Sequence, residues 1–210
     1  MNVKLKLCGI RRPEDVIFLN EYPPDYAGFI FTETRRKVSL EQAETLCGML
    51  SDRIERVGVF VNMPLEKMAA YGDILDVFQL HGDEDEAYIS ALREIIPAEC
   101  EIWKAVRARS ADDIRRADKT SADRLLIDAF TPDAYGGTGH TADWDMILSA
   151  APEKPFFAAG GISSKNFLEA AEKLRPYGID ISSGIETDGI KDKSKIAEII
   201  SLREKLLLHE

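Results

Sequence analysis

The chain has 210 residues, with 27 Lys and Arg against 37 Asp and Glu and a formal net charge of −10. That acidity argues against non-specific nucleic-acid binding, which needs a basic footprint, but leaves room for a local site that takes a small anion. The chain lacks an apolar run of the ~18 residues that cross a bilayer and shows no signal-peptide pattern at its start, and Cys8, Cys47 and Cys100 have no metal-ligand spacing; a cytoplasmic protein with free thiols and no membrane partner is expected.

In chain order, short runs rich in Val, Ile and Leu alternate with longer segments of helical period. VKLKLC precedes PEDVIFLNE, YAGFIF precedes SLEQAETLCGML, RVGVFV precedes PLEKMAAYG, and LDVFQLHG precedes EDEAYISALREII. EIWKAV then leads into SADDIRRAD, RLLIDA into DWDMILSA, PFFAAG into SSKNFLEAAEKL, and IDISSG into DKSKIAEIISLREKLL. Eight such units at a period of roughly 25 residues predict parallel strands joined by helices. Eight is also the number that closes an α/β sheet into a (β/α)8 TIM barrel, expected here as one domain over residues 1–210. An open doubly wound sheet is the alternative, but the first turn, CGIRRPED, carries one glycine where a dinucleotide-binding turn would read GxGxxG. Helix starts are expected at Pro13-Glu14-Asp15, at Ser39 with Gln42 three residues on, at Pro64 and at Ser163-Ser164.

A barrel of this kind gathers at one face the residues that follow its strands. These are Cys8-Gly9, Thr32 to Arg36, Asn62, Gln79 with His81-Gly82, Lys104, Asp128, Gly160-Gly161, and Ser182 to Gly184 with Glu186. The AAGGIS and SSGIE strings let backbone N–H groups approach an oxyanion, and the loops after the last two strands are the usual phosphate seat of such barrels. Their plain alternative is a pair of tight turns. Gly137 to Gly139 form a third glycine-rich stretch, read as a cover over the site or as an ordinary long turn. Cys8 and Asp128 can serve as base and acid, because burial or a nearby charge tunes both groups toward neutral pH. Against this, a strand-end cysteine is more often a small buried hydrophobe, and an aspartate there is often a turn or helix cap. Residue types and spacing reach a phosphate-ligand barrel enzyme and stop there.

The strings themselves go further. KLCGIRRPED, GFIF followed by RRKVS, VGVFVN, VFQLHGDE, LLIDAFTPDAYGGTGHTADW, AAGGISSKN and IDISSGIETDGIKD resemble, in this order and over essentially the whole chain, the motifs of the phosphoribosylanthranilate isomerase family of tryptophan biosynthesis. The resemblance implies an Amadori rearrangement without cofactor or metal, on a phosphorylated small-molecule substrate, by a monomer or homodimer. It implies that Cys8 is the general base, Asp128 the general acid and Arg36 the partner of the anthranilate carboxylate, with Arg35 as a rival for that contact. It places Gly160, Gly161, Ser183 and Gly184 at the phosphate, Asp180 as a residue that orders the site, and Gln79 and His81 of QLHG as lining residues.

Three departures from the family pattern stand out. Arg11 replaces the common threonine after CGI, where it either faces solvent or favours the Cys8 thiolate. TETRR replaces Ser-Pro or Ser-Lys before the arginine, and TPDAYGGTG is one residue longer than usual. The rival readings are a non-catalytic phosphometabolite binder and a related aminoribosyl-phosphate isomerase. The first predicts a damaged acid–base pair and the second an aspartate at position 8. Cys47 and Cys100 are expected to be structural thiols.

Overall fold

The computed structural model describes residues 2–129 and 144–208. The first half runs β1 (Lys4–Cys8), α1 (Pro13–Glu21), β2 (Tyr26–Ile30), α2 (Leu40–Met49), β3 (Glu55–Phe60), α3 (Leu65–Met68), β4 (Val77–Leu80) and α4 (Glu86–Arg93). The second half runs β5 (Glu101–Ala108), α5 (Ala111–Asp118), β6 (Arg124–Ala129), α6 (Trp144–Ala150), β7 (Phe156–Ala159), α7 (Phe167–Leu174) and β8 (Gly178–Ile181). A small antiparallel hairpin, β9 (Glu186–Thr187) and β10 (Ile190–Lys191), precedes the last helix, α8 (Lys193–Leu208). Strands β1 to β8 are parallel and close in chain order, with β8 pairing back to β1 from Lys4↔Gly178 to Leu7↔Ile181. The eightfold alternation is thus a TIM barrel.

Helix starts follow local chemistry. Ser39 and Gln42 form a capping box, the Gln42 N–H donating to Ser39 Oγ at 3.1 Å and the Ser39 N–H to Gln42 Oε1 at 2.9 Å, which satisfies two otherwise orphaned donors. At α1 the Asp15 carboxylate accepts the N–H groups of Arg11 and Arg12, both at 3.1 Å. Two helical segments differ from the sequence pattern. PLEKMAAYG yields one α turn and then a 3₁₀ turn at Ala69–Tyr71, because Tyr71 is held against the rings of Phe31 and Phe60 at 4.6 and 5.0 Å between centroids. In SSKN, Ser163 does not start the helix; its N–H donates to Asn166 Oδ1 at 2.8 Å, a local turn that delays α7 to Phe167.

Each strand is buried on both faces, so alternation shows as membership of two cores. On β5, Trp103 and Ala105 pack inside the barrel with Tyr26, Val57, Val77, Leu126 and Phe157, while Ile102, Val106 and Ala108 pack under the helices. The inner cluster plugs the end where strands begin: Trp103 and Phe157 stack at 4.4 Å, and Tyr26 meets both edge-on at 5.0 and 5.5 Å. With that end filled, the barrel opens at the C-terminal ends of its strands.

Candidate active site

At that open end lies a cavity of about 410 Å³. Cys8, the last residue of β1, and Asp128, near the end of β6, both line it. Arg36, Gln79, His81 and Asp180 line it too, and so do the loop residues Gly160, Gly161 and Ser183. Gly184 does not: it packs against the loop after β7, where a Cβ would stand 2.1 Å from the carbonyl oxygen of Ile162. Lys104 and Asn62, although at strand ends, are taken up by the loop after β4. Lys104 Nζ donates to Glu84 at 2.9 Å, and the Asn62 N–H to the same carboxylate at 2.7 Å. Gly137 to Gly139 lie outside the described residues.

The Cys8 thiol is buried and owes its room to Gly28 on the neighbouring strand, where a Cβ would come within 2.8 Å of Sγ. Burial pushes its pKa up, and the ammonium groups of Lys6 and Lys191 pull against that. Lys6 lies two residues before Cys8 on the same face of β1; it is fully buried and paired with Asp180 at 2.9 Å. Arg11 plays no such part, since its guanidinium donates to the carbonyl of Gly189 at 3.4 Å. The cations that counter the burial of the thiol therefore come from inside the barrel and from the β9–β10 hairpin.

Asp128 is pushed up chiefly by burial and further by the Asp180 charge, with Arg107 opposing. Its carboxyl group thus keeps its proton to higher pH than an ordinary aspartate, as an acid needs. Burial and the cations of Arg107 and Lys6 hold His81 down at about 4, so its ring is neutral at pH 7. Gln79 Nε2 meets His81 Nδ1 at 3.0 Å, and the buried Gln79 Oε1 has no partner among the described residues. The loops after β7 and β8 bring Gly160, Gly161 and Ser183 to the cavity wall. Gly160 and Gly161 have φ of 91° and 65°, a left-handed backbone that glycine adopts without strain.

Arg36 reaches the cavity from the β2 loop, its stem lying against the first turn: a Cβ on Gly9 would stand 2.6 Å from Arg36 Cδ and 3.5 Å from Lys191 Nζ. Its guanidinium is bidentate to Glu186, Nε to Oε1 at 2.7 Å and Nη2 to Oε2 at 2.8 Å. Arg35 also reaches Glu186, at 3.0 Å, but its side chain is 60 % exposed and lies outside the cavity. Of the two arginines, only Arg36 is placed to meet a ligand there.

A family model described as N-(5'-phosphoribosyl)anthranilate (PRA) isomerase matches residues 5–202. The chain belongs to that family. An N-(5'-phosphoribosyl)anthranilate isomerase of Endomicrobium trichonymphae is 42 % identical over 205 residues, covering 97 % of this chain and 99 % of the relative. A solved phosphoribosylanthranilate isomerase, in complex with reduced 1-(o-carboxyphenylamino)-1-deoxyribulose 5-phosphate, is 30 % identical with a TM-score of 0.81, covering 97 % and 99 % of the two chains. Monomers generated from the dimeric enzyme of Thermotoga maritima give 32 % identity and a TM-score of 0.81, with 97 % and 98 % covered.

Within this barrel, the motifs leave three charged residues unmarked. Lys6 shares the inward parity of Cys8, and that period of two was its available signal. Arg107 lies on β5 beyond the apolar run, at the same parity as Trp103 and Ala105, and lines the cavity opposite Asp128 in register. Lys191 had no local signal, because only the hairpin carries it back to the loop of β8, where Nζ donates to the Ser182 carbonyl at 2.9 Å.

Proposed function

We propose that this chain catalyses the Amadori rearrangement of N-(5-phosphoribosyl)anthranilate to 1-(2-carboxyphenylamino)-1-deoxyribulose 5-phosphate, the isomerase step of tryptophan biosynthesis, with Cys8 as base and Asp128 as acid. The observation that carries the reading is that Cys8 from β1 and Asp128 from β6 line one cavity, whose rim is the pair of glycine loops after β7 and β8. The raised Asp128 donates its proton to the furanose ring oxygen as the bond from that oxygen to C1 breaks. The nitrogen lone pair forms the C=N bond, which gives an open-chain Schiff base. The Cys8 thiolate then takes the proton from C2, and the electron pair it leaves moves into a C1–C2 double bond as the C=N pair returns to nitrogen. The resulting enolamine tautomerises, C1 gaining a proton and C2 becoming the ketone.

The remaining residues hold the substrate. Backbone N–H groups at Gly160, Gly161 and Ser183 receive the phosphate, and Arg36 pairs with the anthranilate carboxylate. Asp180 orders the floor through Lys6. Gln79 presents an unpaired acceptor and His81 a neutral ring to the sugar hydroxyls. The reduced product bound to a relative of the same fold supports a ligand of this shape. The protein acts as a monomer or homodimer in the cytoplasm; among the described residues no helix is long and apolar enough to cross a membrane.

The test follows the loss of anthranilate fluorescence of the substrate with the wild type, Cys8→Ala and Asp128→Ala. Each substitution is expected to cut kcat by roughly 10² to 10⁴, the usual share of one acid or base. Turnover within a factor of two of wild type in either variant would falsify the assigned roles.

A further inference from the structure

The carboxylate of Glu186 is 4 % exposed and receives four charged hydrogen bonds: two from Arg36, one from Arg35 and one from Lys191 Nζ at 2.8 Å. Burial alone would raise its pKa, but the Arg36 and Lys191 hydrogen bonds hold it at about 2. It is therefore ionised throughout the physiological range. Three cations meet one carboxylate here, so the cluster that holds Arg36 keeps a surplus of positive charge after Glu186 is satisfied.

The manner of pairing matters more than the surplus. A guanidinium has two edges that can take a carboxylate side-on, one formed by Nε with Nη2 and the other by Nη1 with Nη2. Glu186 occupies the first edge with both oxygens. The second edge has no bond to any described residue, and Arg36 lines the cavity. An arginine held this way cannot rotate about its last bonds without breaking two short charged hydrogen bonds, so its free edge is aimed before any ligand arrives. Lys191 reinforces the hold by taking Oε1, which leaves Arg36 less neutralised than a simple ion pair would.

We infer that Glu186 is a positioning residue for carboxylate recognition: by clamping the Nε edge of Arg36 it presents the Nη1–Nη2 edge to the aryl carboxylate of the substrate and makes selection of an ortho-carboxyl group depend on a residue that never touches the ligand. This rests on the reading that Arg36 meets that carboxylate, and the two are tested separately.

The probes are the reduced product, 1-(o-carboxyphenylamino)-1-deoxyribulose 5-phosphate in reduced form, and the same compound without its carboxyl group. Dissociation constants for both are measured by calorimetry on the wild type, Arg36→Met, Glu186→Gln and the double variant. The wild type is expected to prefer the carboxylated probe by roughly tenfold to a hundredfold, the scale of a charged hydrogen-bond pair. Arg36→Met and Glu186→Gln should each cut that preference at least fivefold while leaving the affinity for the decarboxylated probe within a factor of two, which also certifies that each variant is folded. The double variant should lose no more than Arg36→Met alone. If Arg36→Met loses the preference and Glu186→Gln keeps it, the clamp is overturned and the Arg36 reading survives. If Arg36→Met keeps it, the Arg36 reading falls and the clamp with it. A Glu186→Gln protein that weakens both probes equally makes Glu186 merely structural and also overturns the clamp; in steady state the clamp predicts a raised KM with kcat within threefold.

Discussion

Lys6 and Asp180 pair at 2.9 Å across the β1–β8 seam of the barrel, the lysine side chain wholly buried and the aspartate 10 % exposed. Their strands meet in register at this position, so the pair forms part of the closure of the barrel as well as the floor of the cavity. Lys6 keeps its charge because Asp180 and the Cys8 thiol outweigh the burial that disfavours it.

Replacement of Lys6 with Met should therefore act on two measurements at once. Removal of one partner of a buried pair leaves the other uncompensated, a loss of about 3 to 5 kcal/mol in urea unfolding. The same change takes away the nearest cation that favours the thiolate, so alkylation of Cys8 by iodoacetamide should require higher pH than in the wild type. An unchanged alkylation profile would show that Lys6 serves stability only.

The opposed needs of acid and base set the pH profile. In the proposed mechanism Asp128 must be protonated and Cys8 ionised, and burial raises both pKa values. The active form gains thiolate as pH rises and loses the protonated acid, which gives a bell in kcat/KM whose lower limb belongs to Asp128 and upper limb to Cys8. Arg107 lowers the Asp128 value, so Arg107→Met should move the lower limb to higher pH. The upper limb should stay in place, since Arg107 is not among the groups acting on Cys8. A parallel move of both limbs would point to a general field and not to the Arg107–Asp128 pair.

Space beside the thiol is as specific as its charge. Gly28→Ala would set a methyl group 2.8 Å from Cys8 Sγ and 3.1 Å from its Cα, closer than carbon and sulfur tolerate. The strand backbone on both sides is tied by register, so the thiol must turn away. A misplacement of this kind costs catalysis on the order of 10²-fold in kcat, while circular dichroism should show the barrel intact. Full activity in Gly28→Ala would mean that the reacting thiol sits elsewhere than in this rotamer.

The parts of this molecule visible in the sequence are those set by local pattern. All eight strands fall on the apolar runs, and Cys8, Asp128 and the Gly160-Gly161 turn sit where a strand stops, a place that sequence marks well. Lys6 and Arg107 escaped because a strand buried on both faces has no polar side to reveal its parity, and a lysine between two leucines reads as a solvent-facing residue. The hairpin did carry a signal: Asp188-Gly189, with φ of 51° and 77°, is a two-residue turn of the kind that joins antiparallel strands. Its consequence was out of reach. That the hairpin pair Glu186 and Lys191 meets Arg35 and Arg36 depends on contacts 150 and 151 residues apart, which strand spacing does not encode.

The clamp at Glu186 also leaves a mark on stability. Its carboxyl group falls from an ordinary value of 4.5 to about 2 in the folded chain. A group with a depressed folded pKa contributes stability that is fully present above the unfolded value and is lost as pH falls through the folded one. The relevant window thus runs from about 4.5 down to about 2. Other carboxylates titrate there as well, Asp192 among them, so the informative quantity is the difference between wild type and Glu186→Gln. Unfolding free energies from urea titrations should differ by on the order of 2 to 3 kcal/mol at pH 7 and converge as the pH drops through that window. If the gap stays constant with pH, the ionised carboxylate of Glu186 contributes nothing that its amide does not, and its four hydrogen bonds count as packing alone.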